Sequence, residues 1–300
     1  MALSSSLKST IVRVKLFAIR TIFGVLERVA PGIGSQWAER LWLTLPRYRG
    51  TQRPNALPLA ETFTVSVRGR RIVGRAWGSG PTVYLVHGWG GASSQLDAFV
   101  PALLDAGHRV VTFDALSHGD SAPGSLGPRR TTIPELADAL AAIVAAQGRA
   151  HAIIAHSLGC AGVFYAIRHG LPVDRLVFLA PMTQPTPYTI LFAARLGFGE
   201  RISAGMRDRV ATRVGVPWTD FDIPNLVDRL PTPPPLLLVH DPRDRETRYA
   251  DSLAVRKVWP GADLVTVTDL GHWRILRDPS TIERSVAFLA PTADSARQVS

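Results

Sequence analysis

The chain has 300 residues, 46% of them apolar and 19% charged, with a formal net charge of +10. Its single cysteine, Cys160, excludes an intrachain disulfide framework. Residues 1–75 contain 13 Lys and Arg against 3 Asp and Glu, whereas residues 76–300 contain 21 of each class, so the whole charge excess lies in the first quarter. A nucleic-acid-binding enzyme would extend its basic surface over the catalytic domain, so this distribution argues against a nucleic-acid partner.

The N-terminal segment has the pattern of a basic amphipathic helix. Over residues 7–29 the apolar residues fall broadly on one side, and opposite them lie Arg13, Arg20, Glu27 and Arg28. The segment is too often interrupted by charge to span a membrane, and it lacks the apolar core and cleavage site of a secretory signal. Three interpretations stay open: contact with an anionic membrane surface through residues 7–29, packing against the rest of the protein, or a transit peptide.

A second amphipathic stretch, residues 35–45, follows a Pro-Gly break, and the two stretches together suit a helical hairpin packed against the core. Residues 46–59 are punctuated by proline and lack periodicity, which is typical of a linker. We therefore expect an N-terminal appendage over residues 1–60, one catalytic domain over 61–290 and a disordered tail over 291–300.

Alternating strand and helix patterns fill most of the remaining chain. Residues 62–67 and 71–77 predict an antiparallel hairpin, and apolar runs predict six more strands near Thr82, Val110, Ala152, Leu176, Leu236 and Leu264. Helices are predicted between them at residues 93–105, 134–146, 158–169, 247–258 and 279–289. Such alternation predicts a mostly parallel sheet with helices on both faces. The alternation of strands and helices stops between residues 181 and 230, where helical patterns cover 189–198, 200–214 and 221–230.

A serine stands between a predicted strand and a predicted helix. Ser157 lies in the run Ala155-His156-Ser157-Leu158-Gly159, close to the G-x-S-x-G pattern that places a nucleophile on a sharp turn, with alanine replacing the first glycine. Taken alone, this pattern also suits a serine that caps the following helix.

Three further loops strengthen the interpretation of Ser157 as a nucleophile. A buried strand ends in His87-Gly88-Trp89-Gly90, and later strands end in turns that carry first Asp241 and Asp244 and then His272. The order Ser, Asp, His, each just after the carboxyl end of a strand, is one of three known for unrelated serine hydrolases.

With these motifs, and with a loop over residues 114–121 similar to D-x-P-G-H-G-x-S, residues 61–290 resemble the α/β-hydrolase superfamily. The resemblance implies an eight-stranded, mostly parallel sheet and a small helical cap at about residues 181–230. It also implies Ser157 as nucleophile, His272 as base and Asp244, rather than Asp241, as the acid that orients His272. The backbone N–H groups of Trp89 and Leu158 are expected to form the oxyanion hole.

The expected activity is hydrolysis of a carboxylic ester or similar acyl bond in a small molecule, without cofactor or metal. No carboxylate or cysteine falls at ligand spacing with His87, His118 or His156. A thioesterase, lactonase, amidase or cofactor-free haloperoxidase would share the triad, because one fold supports many activities. The alternative is a non-catalytic ligand-binding or membrane-associated protein on the same scaffold. We expect a cytoplasmic location, peripheral at the membrane if residues 7–29 bind lipid; the sequence leaves the oligomeric state open.

Overall fold

The computed structural model describes residues 5–46 and 57–290, with side chains from residue 13 onward. Most of the predicted linker and the predicted tail over 291–300 therefore lie outside the described residues. The described chain forms two compact units. The helical unit comprises the residues up to Thr44 together with Gln184–Asp222, and the sheet unit comprises the described residues from Leu45 to Thr183 and from Ile223 to Ala290. The domain boundaries expected from the sequence stay a prediction.

The sheet unit contains one eight-stranded sheet. Its strands are β1 Glu61–Val67, β2 Arg70–Trp77, β3 Thr82–Val86, β4 Arg109–Phe113, β5 Ala150–His156, β6 Val173–Leu179, β7 Leu236–His240 and β8 Asp263–Thr266. They lie in the order β1-β2-β4-β3-β5-β6-β7-β8, with β2 antiparallel to both neighbours and every other pair parallel. The predicted hairpin and the mostly parallel sheet are confirmed.

The helices follow the predicted positions closely. They are α1 Ser5–Val29, α2 Pro31–Trp42, α3 Phe99–Asp105, α4 Ile133–Gln147, α5 Leu158–Arg168, α6 Pro185–Leu196, α7 Glu200–Val214, α8 Tyr249–Val258, α9 Gly271–Arg274 and α10 Pro279–Leu289. Pro279 opens α10, where its missing N–H needs no partner, and the side chain of Asp278 caps the same end. Among the described residues, no helix combines the length and the apolar character needed to cross a membrane.

Alternate residues of the central strands enter two separate cores. In β3, Tyr84 and Val86 belong to the core beneath α4, α5 and α8, while Val83 and Leu85 belong to the core beneath α3 and α10. Successive side chains of a strand point to opposite faces, so a strand buried on both faces must be apolar throughout. This explains why β3 appears in the sequence as a continuous apolar run.

The helical unit has its own core, in which α1 and α2 pack with α6 and α7. Phe23 of α1 is fully buried; its ring stacks on that of Trp37 at 4.4 Å, and the tilted ring of Phe198 lies 4.9 Å away. Glu39 of α2 is also buried and pairs with Arg209 and Arg213 of α7. The N-terminal helices thus pack within a unit whose other helices lie more than 140 residues later in the chain.

Two charged residues of α1 bind the ends of other helices in the same unit. The Arg20 guanidinium donates to the carbonyl oxygens of Ala194 and Arg195 at the end of α6, at 2.9 and 3.0 Å. The Glu27 carboxylate accepts hydrogen bonds from three backbone N–H groups at the start of α7. Each charge has the sign that complements the helix end it contacts.

One predicted helix is wrong. Residues 221–230 form short 3-10 turns, Trp218–Phe221, Ile223–Asn225 and Val227–Arg229, instead of a continuous α-helix. Pro224 lacks the N–H that an α-helix beginning at Phe221 would need at its fourth position, and a proline disfavours the helical conformation of the residue before it. The helix predicted over residues 93–105 also begins differently, as a 3-10 turn over Ser93–Leu96 followed by α3.

Candidate active site

Ser157 is the single residue between β5 and α5. Its backbone has φ 57° and ψ −126°, which a non-glycine residue adopts only when its surroundings hold it there. The Ser157 N–H donates to the carbonyl of Leu179 at 3.0 Å, which ties the turn to β6. The side chain makes no capping hydrogen bond to α5, so the structure does not show the helix-capping role that the pattern alone would have allowed.

Two glycines let other backbone pass close to this turn. A Cβ on Gly159 would lie 2.6 Å from the carbonyl oxygen of His87, and a Cβ on Gly88 would lie 2.8 Å from the Cβ of Ser157. Both separations are shorter than real Cβ contacts. The loop after β3 and the turn after β5 therefore need glycine where they meet, and the loop that carries Trp89 begins directly against Ser157.

Asp244 and His272 form a buried hydrogen-bonded pair. Nδ1 of His272 lies 2.8 Å from Oδ2 of Asp244, and both side chains are at most 5% exposed. Because the carboxylate accepts, Nδ1 carries the proton and Nε2 of the neutral ring is free to act as a base. His272 lies in α9, the short helix that follows β8, and Asp244 lies in the turn that follows β7.

Several donors converge on the Asp244 carboxylate besides His272. Oδ1 accepts from the backbone N–H groups of Glu246 and Thr247, at 2.7 and 3.0 Å, and Oδ2 lies 3.0 Å from the Thr247 hydroxyl and 3.5 Å from Nε2 of His240. Burial by itself would raise the pKa of Asp244, but hydrogen bonds from His240 and His272 hold that pKa well below its usual range. Asp244 is therefore ionised at neutral pH.

The Asp241 carboxylate contacts backbone N–H groups instead of the His272 ring. Its Oδ2 accepts from the backbone N–H groups of Leu270 and Gly271, at 2.8 and 2.7 Å, and its Oδ1 accepts from that of Arg243. Asp241 thus anchors the backbone just before His272, whereas Asp244 contacts the ring itself.

The loop after β3 is held by two neutral histidines. His87 accepts the N–H of Ala115 through Nε2, and His118 accepts the N–H of Gly90 in the same way, at 3.0 and 3.1 Å. Burial lowers the pKa of His87 and lowers the pKa of His118 to about 3, which keeps the accepting nitrogens unprotonated. The Asp114 carboxylate also stabilises the chain after this loop, because it accepts a hydrogen bond from the N–H of Ser93 at 2.7 Å. The oxyanion role of the Trp89 and Leu158 N–H groups stays a prediction.

Three further residues contact the Asp244–His272 pair: the sequence pointed to neither Thr247 nor His240, and the resemblance implied for His156 only a role in supporting its turn. Thr247 and His240 surround the carboxylate, and Nε2 of His156 lies 3.0 Å from the backbone carbonyl of His272. The His156 and His272 rings are 4.4 Å apart, and burial lowers the pKa of His156 well below its usual value. A neutral His156 can donate to that carbonyl and so place His272 beside the turn that carries Ser157. In the sequence, Thr247, His240 and His156 are marked only by standing close to predicted triad residues.

No group of three or more His, Cys, Asp or Glu side chains in the described ranges has the arrangement of a metal site. The exposed ring of Trp273 lies 4.9 Å from that of His272 in an edge-on arrangement, so it borders the same site.

Comparison with known proteins shows which family the chain belongs to. The model of the alpha/beta hydrolase family matches residues 83–284, about two thirds of the chain, and the protein therefore belongs to that family. No curated protein sequence matches the chain significantly.

Solved structures similar to the chain include several hydrolases. A bacterial membrane phospholipase A, described as a virulence factor, is 18% identical, with a TM-score of 0.60 over 97% of this chain and 100% of that one. An esterase of Pyrococcus furiosus is 19% identical, with a TM-score of 0.59 over 82% and 97% of the two chains. The carboxylesterase CesB of Bacillus subtilis is 17% identical, with a TM-score of 0.58 over 87% and 99%. At these identities the similarity establishes the fold.

Proposed function

We propose that this alpha/beta hydrolase cleaves a carboxylic ester or similar acyl bond through an acyl-serine intermediate. The observation that carries the proposal is the buried, ionised Asp244 at 2.8 Å from Nδ1 of His272, in a network that also reaches the turn bearing Ser157. A carboxylate in this position fixes the tautomer in which Nε2 is the base.

Acylation begins when Nε2 of His272 takes the proton of the Ser157 hydroxyl and Oγ attacks the carbonyl carbon of the substrate. The resulting imidazolium is stabilised by Asp244 through the bond to Nδ1. The carbonyl electrons move onto oxygen, where the N–H groups of Trp89 and Leu158 are proposed to bind the developing charge. Collapse of the tetrahedral intermediate expels the alcohol, which takes its proton from His272.

Deacylation repeats the same steps with water as the nucleophile. His272 removes a proton from water, the hydroxide attacks the acyl carbon, and Ser157 leaves with the proton returned by the imidazolium. Pre-placed oxyanion donors matter in both halves, and removing one such donor typically costs about 10²–10³-fold in rate. The rigid loop held by His87 and His118 supports this role for Trp89, because those bonds fix the backbone next to Ser157.

The class of acyl substrate is argued by comparison. Two of the similar structures are described as esterases and one as a phospholipase A, and all three descriptions concern carboxylic ester bonds. These descriptions make an oxygen ester the first substrate to test. They also favour an active enzyme over a non-catalytic binding protein on the same scaffold.

The test compares the full-length protein with Ser157→Ala and with Ser125→Ala, an exposed serine outside the site. All three are treated with a fluorophosphonate probe and then assayed with p-nitrophenyl esters of increasing acyl length. We expect labelling and turnover in the parent and in Ser125→Ala, and neither in Ser157→Ala. A folded parent that takes up no probe and hydrolyses no ester would refute the proposal.

A further inference from the structure

The outward side of α1 carries five exposed apolar side chains. We define the outer stripe as Val14, Phe17, Ile22, Val25 and Val29, whose side chains are each between 48% and 74% exposed. At 100° per residue, Val14, Ile22, Val25 and Val29 lie within about 80° of one another and Phe17 lies about 60° to one side, so the five side chains cover an arc of about 140° along about 22 Å of helix. The opposite side of α1, which includes Phe23, is already buried in the core of the helical unit.

Exposed apolar side chains are concentrated in the helical unit. Among the described residues, eight of the twelve exposed large apolar side chains belong to it: the outer stripe together with Ile33, Ile190 and Leu191. Single exposed apolar residues are ordinary, but their concentration in one part of a protein is typical of a surface that meets an apolar partner. Packing of α1 within the helical unit therefore uses only one of its two apolar sides.

The edges of the outer stripe are cationic. At 100° per residue, Lys15 lies beside Ile22 at one edge, Arg13 and Arg20 lie beyond Phe17 at the other, and Arg28 lies between Phe17 and Val14. All four side chains are exposed, and no ion pair joins them to a carboxylate in the part of the chain that the structure describes; the Arg20 guanidinium also donates to two carbonyl oxygens of α6. Glu27 is the only acidic residue among the first 38, and its carboxylate is engaged by the start of α7.

We propose that the outer stripe docks the protein on the surface of an anionic lipid bilayer, with α1 lying parallel to the membrane. A helix in this orientation buries its apolar side at the level of the acyl chains, while basic residues along both edges meet anionic headgroups. The exposed apolar arc, with Lys15 at one edge, Arg13 at the other and Arg28 among the apolar positions, supplies both kinds of contact.

A second copy of this chain fits the same surface less well. In a two-fold symmetric dimer the outer stripe would face itself, and the cationic edges of both copies would be brought together. Such like-charge contacts are unfavourable without acidic partners, and the outward side of α1 offers none. The charge pattern therefore favours lipid over self-association.

The test is co-sedimentation of the full-length protein with vesicles of phosphatidylcholine alone or with about 30% phosphatidylglycerol. The stripe variant carries Phe17→Gln and Val25→Gln, and its matched control carries Leu253→Gln and Val258→Gln, two exposed apolar positions in the sheet unit. Glutamine keeps good helix propensity, and circular dichroism checks that each variant is folded.

We expect the parent and the control to bind the anionic vesicles, more weakly at about 0.5 M salt, and the stripe variant to lose about tenfold or more of its partition coefficient. Equal binding of stripe variant and control, or no binding of the parent, would overturn the proposal. So would a dimer in solution that the stripe substitutions convert to a monomer. Binding by Ser157→Ala should equal that of the parent, so this result is independent of the proposed hydrolase activity.

Discussion

Replacing Asp244 by Asn tests the orientation of the proposed base. In the parent, Oδ1 of Asp244 accepts from the N–H groups of Glu246 and Thr247, and Oδ2 accepts from Nδ1 of His272. An asparagine keeps its single oxygen on the two backbone donors and turns its NH₂ group toward His272. Nδ1 must then accept, the ring proton moves to Nε2, and the base that should deprotonate Ser157 is lost.

Asp244→Asn should lower activity strongly because it removes two functions of the carboxylate at once. Asn supplies neither the correct tautomer nor a negative charge beside the imidazolium, and the same substitution in a serine protease lowers kcat about 10⁴-fold. Each tenfold corresponds to about 1.36 kcal/mol, so the transition state should lose about 5 kcal/mol of stabilisation. The assay is kcat/KM for a short p-nitrophenyl ester, with circular dichroism to show that the variant is folded.

Asp241→Asn is the matched control, three residues earlier in the same turn. Asp241 does not touch the ring but holds the N–H groups of Leu270 and Gly271, so its loss should lower stability by about 1–3 kcal/mol and activity by about tenfold. Asp244 does not orient the base if Asp244→Asn keeps more than about a tenth of the parent's activity, or if Asp241→Asn lowers activity more than Asp244→Asn does.

Two further predictions concern the helical unit. Glu27→Gln should lower Tm by about 2–6 °C, because a neutral amide with one oxygen cannot accept hydrogen bonds from all three N–H groups at the positive end of α7. The control, Glu283→Gln at an exposed position, should leave Tm unchanged. Equal Tm values for the two variants would contradict the capping role. Burial by itself would raise the pKa of Glu39, but hydrogen bonds from Arg213 and Arg209 hold it below its usual value of 4.5. Its contribution to stability is then present above pH 4.5 and is lost as the pH falls through the lowered pKa. Urea unfolding at several pH values should therefore show a steeper decline on acidification for the parent than for Glu39→Gln; parallel curves would rule out that linkage.

Much of the proposed site could be predicted from the amino-acid sequence, because its signals are local. Ser157 stands out because a nucleophile turn needs small residues within two positions of it, and Gly159 meets that need. His272 and Asp244 stand out because each follows the end of an apolar strand, and parallel strands bring their carboxyl ends to one edge of a sheet. The support around them could not be predicted in this way. Thr247 and His156 have no pattern of their own and are recognised only by what they contact.

The sequence by itself determined the eight-stranded sheet, the family and the chain positions of the proposed triad, because strand and helix periodicities and tight turns depend on residues close together along the chain. Only the tertiary structure decided what each carboxylate contacts: Asp244 meets the ring of His272, whereas Asp241 accepts from the backbone N–H groups of Leu270 and Gly271. It also decided that Arg20 and Glu27 serve the ends of α6 and α7, more than 170 residues away, and that the apolar residues of α1 divide between a buried and an exposed side. The physical reason is that periodicity identifies an apolar side of a helix, whereas its partner is determined by the packing of elements far apart in the chain.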